Sequence, residues 1–191
     1  MTPDLPPEPD FNHWPLPYEE RLQSRPRASI DLVVIHCTEL PDLATAREYG
    51  ERALYESGTG NSGHYYIDRD GSIHVFVKPD RIAHHTRSYN ERSVGIELVN
   101  RGRYPDWLDS RRQAMDEPYT DAQVASLLAL LGKLERELPA LEFIAGHEDL
   151  DLTRVPASDN PHEMVFRKRD PGPRFPWSKV LDAVKLERIR P

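Results

Sequence analysis

Two histidines each stand at the end of a short apolar run, which is a placement that suits a metal site. His36 follows the run that begins at Ile30, and His147 follows the run that begins at Leu141. In α/β proteins the strand ends at one edge of the sheet usually carry the functional groups, because the loops there are free to vary. Two imidazoles at such an edge, with a third ligand from a nearby loop and an open water position, could form a catalytic zinc site.

A carboxylate inside an apolar strand is the second feature with chemical meaning. Glu97 lies in the segment Ser93-Val94-Gly95-Ile96-Glu97-Leu98. A buried carboxylate needs a partner or a function, so a salt bridge to an arginine is the alternative to catalysis. Asp170, directly before Pro171, could start a turn. Lys168 lies in a basic cluster, which by itself is typical of a solvated surface.

The apolar patterns predict the elements that must position these residues. Strands are expected at residues 30–35, 64–67, 72–77, 93–99 and 141–145, with a hairpin turn at Asp70-Gly71. Helices are expected at residues 43–57, from about 120 to 138 with Thr120 and Asp121 as caps, and from about 176. The order predicts one α/β domain with a central mixed β-sheet flanked by helices and the zinc site at one sheet edge.

Length, charge and cysteine content narrow the class of protein. The 191 residues suit a single domain, divided into an extended N-terminal arm at residues 1–28, anchored by Trp14, Tyr18 and Leu22, and a catalytic domain at residues 29–191. The net charge of -7 argues against nucleic-acid binding, and the chain has no run of apolar residues that suits a membrane span. The single cysteine excludes an internal disulfide, and the first residues do not resemble a signal peptide, so we expect a cytoplasmic enzyme.

Five motifs occur in an order that is more specific than any one of them. They are Ile35-His36-Cys37-Thr38, Gly63-His64-Tyr65-Tyr66-Ile67 with Asp70-Gly71, Ser93-Val94-Gly95-Ile96-Glu97-Leu98, Gly146-His147, and the segment from Lys168-Arg169-Asp170-Pro171-Gly172 to Trp177. Together they resemble the N-acetylmuramoyl-L-alanine amidase family of the AmpD type. That family also includes phage lysozyme-like amidases and peptidoglycan recognition proteins. The resemblance covers roughly residues 30 to 184.

The resemblance implies a role for each matching residue. His36, His147 and Asp170 are expected to bind one Zn²⁺ ion, which would activate a water molecule for attack on an amide carbonyl. Glu97 is expected to be the general base, and Lys168 is expected to stabilise the oxyanion. The candidate substrate-binding residues are His85, Asn90 and Tyr65, with Tyr66 as an alternative to Tyr65.

The implied function is hydrolysis of the lactyl–L-Ala amide of (1,6-anhydro)muropeptides or peptidoglycan, with the missing leader favouring cell-wall recycling. A lytic endolysin, a secreted toxin amidase, a non-catalytic peptidoglycan-binding module, and a deacetylase or peptidase with similar ligands are the alternatives. The oligomeric state is not predicted.

One segment departs from the family pattern. Residues 148–167 are longer than the short turn that usually connects the second histidine to the Lys-x-Asp motif, and this puts the substrate fit in question. The segment also makes His162 a rival metal ligand. Cys37, beside His36, raises the possibility of a thiol nucleophile, which would need a base and an orienting partner.

Overall fold

A seven-stranded mixed sheet forms the centre of the protein. The computed structural model describes residues 9–190, and the first eight residues of the predicted arm lie outside the described residues. The seven strands in the described range are β1 (Phe11–His13), β2 (Leu32–Cys37), β3 (Tyr65–Ile67), β4 (Ile73–Val75), β5 (Ser93–Leu98), β6 (Phe143–Gly146) and β9 (Glu187–Arg188). Their order in the sheet is β1-β4-β3-β5-β2-β6-β9. Within this sheet, β3 and β4 pair antiparallel, and the remaining neighbours are parallel. The predicted mixed α/β fold is confirmed.

Four helices flank the sheet in the described residues: α1 (Leu43–Gly50), α2 (Asp121–Glu137), α3 (His147–Leu150) and α4 (Trp177–Leu181). Helix α2 begins at the predicted cap. The Thr120 hydroxyl accepts a hydrogen bond from the Gln123 amide at 3.0 Å, and the Gln123 side chain accepts one from the Thr120 amide at 3.1 Å. Such a reciprocal pair satisfies backbone donors that a helix start leaves free.

Helix α1 is shorter than the predicted helix at residues 43–57. It ends at Gly50, after which the amides of Leu54 and Tyr55 both donate to the carbonyl of Thr59. The chain folds back so closely that a Cβ on Gly60 would lie 1.9 Å from the carbonyl oxygen of Arg52. The close turn at Gly58 to Gly60 therefore ends the helix at Gly50 instead of residue 57.

The central strand β2 is buried on both faces, as its unbroken apolar run predicts. Val33 and Ile35 face the leucines of α2, whereas Leu32 and Val34 pack on the opposite side with Ala145. This double burial fixes the register of β2, because a slip by one residue would exchange its two faces. Within residues 9–190, no helix has the length and apolar content needed to cross a membrane.

The described part of the predicted arm lies on the body of the protein. Strand β1 adds to the sheet beside β4, and the Tyr18 hydroxyl donates to the Gly50 carbonyl at 2.6 Å. Tyr18 and Leu22 are buried, whereas Trp14 is 43% exposed and rests against the Arg47 guanidinium. The domain boundary at residue 28 stays a prediction.

The long segment at residues 148–167 is mostly ordered into small elements. It starts with α3 and continues into a separate antiparallel hairpin of β7 (Arg154–Pro156) and β8 (Met164–Phe166). The Ser158 amide donates to the Leu108 carbonyl, and Asp159 accepts from both the amide and the hydroxyl of Ser110. The hairpin is therefore attached to the irregular segment that follows β5.

Candidate active site

The sheet brings the two predicted histidines together. Strands β2 and β6 are parallel neighbours, with Ile35 opposite Gly146, so the residues that follow emerge side by side. The His36 and His147 ring centroids are 4.7 Å apart. Asp170 completes the cluster, because its Oδ2 lies 2.9 Å from His36 Nδ1 and 3.1 Å from His147 Nδ1.

The chemistry of this cluster fits a bound zinc ion. All three side chains are buried, and their candidate ligand atoms lie within 4.8 Å of one another. Among the described residues, Asp170 Oδ1 is buried without a hydrogen-bond partner. An unpaired buried carboxylate oxygen is costly unless a cation compensates it. Burial lowers the pKa of His36 to about 4, so near neutral pH its ring is uncharged, as a metal ligand must be.

Close packing holds Asp170 against the start of α3. A Cβ on Gly146 would lie 2.8 Å from Pro171 Cδ and 3.2 Å from the Trp177 ring, so only glycine allows this approach. The Glu148 amide donates to the Asp170 carbonyl at 2.8 Å. The segment that begins at Asp170 is thereby fixed beside the end of β6.

Glu97 and Lys168 line the same cavity as the three candidate ligands, a space of about 700 Å³. Glu97 lies opposite His36 on the neighbouring strand. A Cβ on Gly63 would lie 2.7 Å from Glu97 Cγ, so the glycine makes room for the carboxyl group. Burial, and next the Asp170 carboxylate, raise the pKa of Glu97 to about 8, while the Lys168 ammonium opposes the rise. A carboxyl group of this kind can exchange a proton near neutral pH.

Of the predicted substrate-binding residues, His85 and Asn90 line this cavity. His85 is directed at a candidate ligand, since its Nδ1 lies 3.0 Å from His36 Nε2. Asn90 shapes the turn that carries His85, because its Oδ1 accepts from the amides of His85 and Thr86 at 3.0 and 2.8 Å.

The expectation for Tyr65 needs correction. Its ring lies in the main core, 5.9 Å from the ring of Phe11, and it does not reach the cavity wall. Side chains alternate along a strand, so the neighbouring Tyr66 lines the cavity instead. The Tyr66 hydroxyl accepts a hydrogen bond from the Gly63 amide at 3.2 Å.

The two rival residues have little support in the structure. Burial, and then the Glu39 carboxylate, raise the pKa of Cys37 well above its ordinary value, which keeps the thiol protonated and a poor nucleophile. His162 is exposed in the turn of the β7–β8 hairpin and is not part of the ligand cluster.

An ion pair in the cavity wall has no signal in the sequence. Arg103 and Glu39 are 64 positions apart and form two hydrogen bonds of 2.6 and 2.8 Å between their side chains. The same guanidinium donates to the carbonyls of Phe166 at 2.9 Å and Arg167 at 3.3 Å. It therefore connects the end of β8, and the backbone just before Lys168, to the residues that follow β2.

Comparisons with known proteins find amidases and endolysins that are similar to this chain. The AmpD amidase of Enterobacter cloacae, named a 1,6-anhydro-N-acetylmuramyl-L-alanine amidase, is 33% identical over 122 residues, which is 59% of this chain and 51% of that protein. The endolysin of Enterobacteria phage T3 is 25% identical over 141 residues, covering 73% of this chain and 88% of the endolysin. The fold also matches the N-acetylmuramyl-L-alanine amidase AmiD from E. coli, solved with an anhydro-N-acetylmuramic acid peptide substrate. That match has a TM-score of 0.62, 24% identity, and coverage of 84% of this chain and 58% of AmiD.

The family model described as N-acetylmuramoyl-L-alanine amidase matches residues 26–173, a range that begins before β2 and ends after Asp170. It therefore includes the histidines, the aspartate, the glutamate and the lysine that the structure brings together in one cavity. The chain belongs to the N-acetylmuramoyl-L-alanine amidase family.

Proposed function

We propose that this protein is a zinc-dependent amidase that cleaves the amide bond between the lactyl group of muramic acid and L-alanine. The observation that carries the proposal is the convergence of His36, His147 and Asp170 in one cavity with Glu97 and Lys168. Two imidazoles and one carboxylate form the type of ligand set found in catalytic zinc sites. A binding module would have no use for a general base and a cation beside such a set.

Zinc, when bound, supplies a Lewis acid that polarises the amide carbonyl and makes water a better nucleophile near neutral pH. Glu97 takes a proton from the attacking water as the new carbon–oxygen bond forms. It then gives that proton to the amide nitrogen as the carbon–nitrogen bond breaks, so the products are a lactyl carboxylate and a free α-amino group. The elevated pKa of Glu97 suits both halves of this transfer.

Lys168 provides the positive charge for the other side of the reaction. It lines the cavity and lies two residues before Asp170 in the sequence. Its ammonium group also opposes the rise in the pKa of Glu97, because a nearby positive charge favours the carboxylate. In hydrolysis, the carbonyl oxygen gains negative charge as the tetrahedral intermediate forms. We assign Lys168 to the stabilisation of that oxygen, which fixed charges do best in a site that excludes water.

We further propose that the substrate is a soluble 1,6-anhydromuropeptide and that the enzyme acts in cell-wall recycling in the cytoplasm. The support is the 33% identity to the AmpD amidase, whose name specifies the anhydro sugar. The cavity of about 700 Å³ is also of the size that holds one small ligand.

A lytic role is the second candidate, because the T3 endolysin aligns over a larger share of this chain. The test is to incubate the zinc-loaded protein separately with a purified 1,6-anhydromuropeptide and with intact sacculi, and to identify the products by mass spectrometry. Release of stem peptide from the soluble fragment, with slow release from sacculi, supports recycling. Release from sacculi alone overturns the recycling role and favours the lytic one.

A further inference from the structure

The ring of His36 has a partner on the side that faces away from the ligand cluster. Its Nδ1 lies beside Asp170, while its Nε2 lies 3.0 Å from Nδ1 of His85. The two rings meet edge to face, with centroids 5.2 Å apart and an angle of 86° between their planes. His85 therefore faces a candidate metal ligand.

The hydrogen bonds beyond His85 fix the direction of this contact. His85 Nε2 lies 3.2 Å from the Ser93 hydroxyl, which itself donates to the Tyr89 carbonyl at 2.7 Å. Because the Ser93 hydroxyl donates its proton to that carbonyl, the hydroxyl oxygen accepts a hydrogen bond from His85 Nε2. His85 then carries its proton on Nε2 and presents the lone pair of Nδ1 to His36.

The consequence for His36 follows from the two tautomers of imidazole. If His85 Nδ1 accepts, His36 carries its proton on Nε2 and its own Nδ1 is free to bind a metal. The Thr86 hydroxyl lies 3.3 Å from His36 Nε2 and 3.0 Å from His85 Nδ1. If the Thr86 hydroxyl instead bridges the two rings, it accepts from His36 Nε2 and donates to His85 Nδ1. This arrangement also places the proton of each ring on Nε2.

The backbone is shaped to hold His85 in this position. A Cβ on Gly95 would lie 2.6 Å from Cγ and 2.7 Å from Nδ1 of His85, so the ring rests directly on the bare backbone of β5. Asn90 fixes the amides of the turn that carries the ring. By contrast, the outer nitrogen of His147, Nε2, is buried without a hydrogen-bond partner among the described residues.

We propose that His85 is a positioning residue for the metal, because it accepts the hydrogen bond that orients His36 and fixes the tautomer in which Nδ1 binds zinc. This replaces the expected contact between His85 and substrate. The inference rests on the proposed zinc-dependent function. Partners of this kind typically change metal affinity by about 10-fold to 100-fold when they are removed.

The test is zinc affinity, measured by competition with a chromophoric chelator. His85→Ala removes the acceptor, and Gly95→Ala keeps the imidazole but displaces it from β5. Both are expected to weaken zinc binding by about 10-fold to 100-fold. His85→Asn, whose Oδ1 can take the place of Nδ1, is expected to restore most of the affinity. His84→Ala is the matched control, because His84 also lines the cavity but forms no hydrogen bond to His36 among the described residues. The zinc affinity of this variant is expected to equal that of the wild-type protein.

A second measurement does not depend on any variant folding. Imidazole ¹⁵N NMR of the zinc-loaded wild-type protein is expected to show His85 and His36 both protonated on Nε2. A proton on His85 Nδ1, or unchanged zinc affinity in both His85→Ala and Gly95→Ala, overturns the inference while leaving the zinc site intact. Failure of the wild-type protein to bind zinc would remove the proposed function itself, and the inference with it.

Discussion

Glu97 and His36 lie opposite each other on neighbouring strands, and burial acts on both in ways that suit hydrolysis. Removal from water disfavours the charged form of each group, which raises the pKa of the carboxyl to about 8 and lowers that of the imidazole to about 4. The imidazole is therefore available as a neutral ligand, and the carboxyl can both accept and release a proton. The same burial disables Cys37 as a nucleophile.

Glu97→Gln is expected to keep the full zinc content and to lose catalysis, because the amide cannot carry the proton from water to the leaving nitrogen. The expected fall in kcat is about 10²-fold to 10⁴-fold. Elemental mass spectrometry measures the zinc content, and steady-state kinetics on an anhydromuropeptide measure kcat. Glu91→Gln, which changes an exposed carboxylate just before β5, serves as the control. Near-normal turnover in Glu97→Gln would remove the general-base assignment.

Lys168→Met is expected to lower kcat by about 10²-fold to 10³-fold, because the oxyanion loses its charged partner. KM should change less, since the negative charge on the carbonyl oxygen develops only during the reaction. The comparison is with Lys179→Met, which removes an exposed lysine of α4. Equal kcat values for the two variants would show that Lys168 has no part in stabilising the oxyanion.

At the scale of elements, parallel pairing explains why a sequence can locate the two candidate histidine ligands. Apolar runs predict β2 and β6, and each run is followed by a histidine, so pairing of the two strands is enough to bring the rings together. Asp170 and Lys168 lie in a loop whose path depends on a glycine contact at Gly146. Such a contact leaves no periodic pattern in the sequence, so the family resemblance alone predicts the placement of Asp170 and Lys168.

The β7–β8 hairpin has no counterpart among the predicted elements. Its strands are short and of mixed polarity, and hydrogen bonds to the segment after β5 position it. The expectation for Tyr65 fails because strand alternation allows only one of Tyr65 and Tyr66 to reach the cavity. Which of them does so depends on which face of β3 packs against α2, and that is a property of the tertiary structure.

The buried ion pair between Arg103 and Glu39 belongs to this scale, because it joins the segments that follow β2 and β5 to the end of β8. Arg103→Met leaves the Glu39 carboxylate buried without its charged partner, and the expected loss in the free energy of unfolding is about 3–5 kcal/mol. Urea unfolding measures the loss. Arg111→Met is the control from the same irregular segment, where the arginine side chain is 76% exposed and a much smaller loss is expected. A similar small loss in both variants would mean that the pair does not stabilise the cavity wall.

At the scale of the whole molecule, buried neutral histidines tie stability to pH. His64 is fully buried, and burial, followed by the Arg25 guanidinium, lowers its pKa to about 3. In the unfolded chain the pKa of histidine is about 6.5. The unfolded state therefore binds the proton first as the pH falls, so stability that is present above about pH 6.5 is lost progressively below it.

His64→Gln removes this contribution. The free energy of unfolding of the metal-free protein falls as the pH drops from about 7 to about 5. In His64→Gln the slope of this fall should be smaller by up to about 1.4 kcal/mol per pH unit. Urea unfolding at several pH values checks the slope, with the exposed His13→Gln as the control. An unchanged slope in His64→Gln would show that His64 does not remain neutral in the folded protein.

The proposed function requires zinc-assisted cleavage of one bond, and reconstitution of the metal-free protein tests this requirement most directly. Protein stripped with a chelator is titrated with zinc while the products of a 1,6-anhydromuropeptide are followed by mass spectrometry. We expect no cleavage without zinc, activity that rises until about one zinc per chain is bound, and a released peptide that begins with L-alanine. Full activity in the stripped protein, or no cleavage of the lactyl–L-Ala bond by the zinc-loaded protein, would contradict the account.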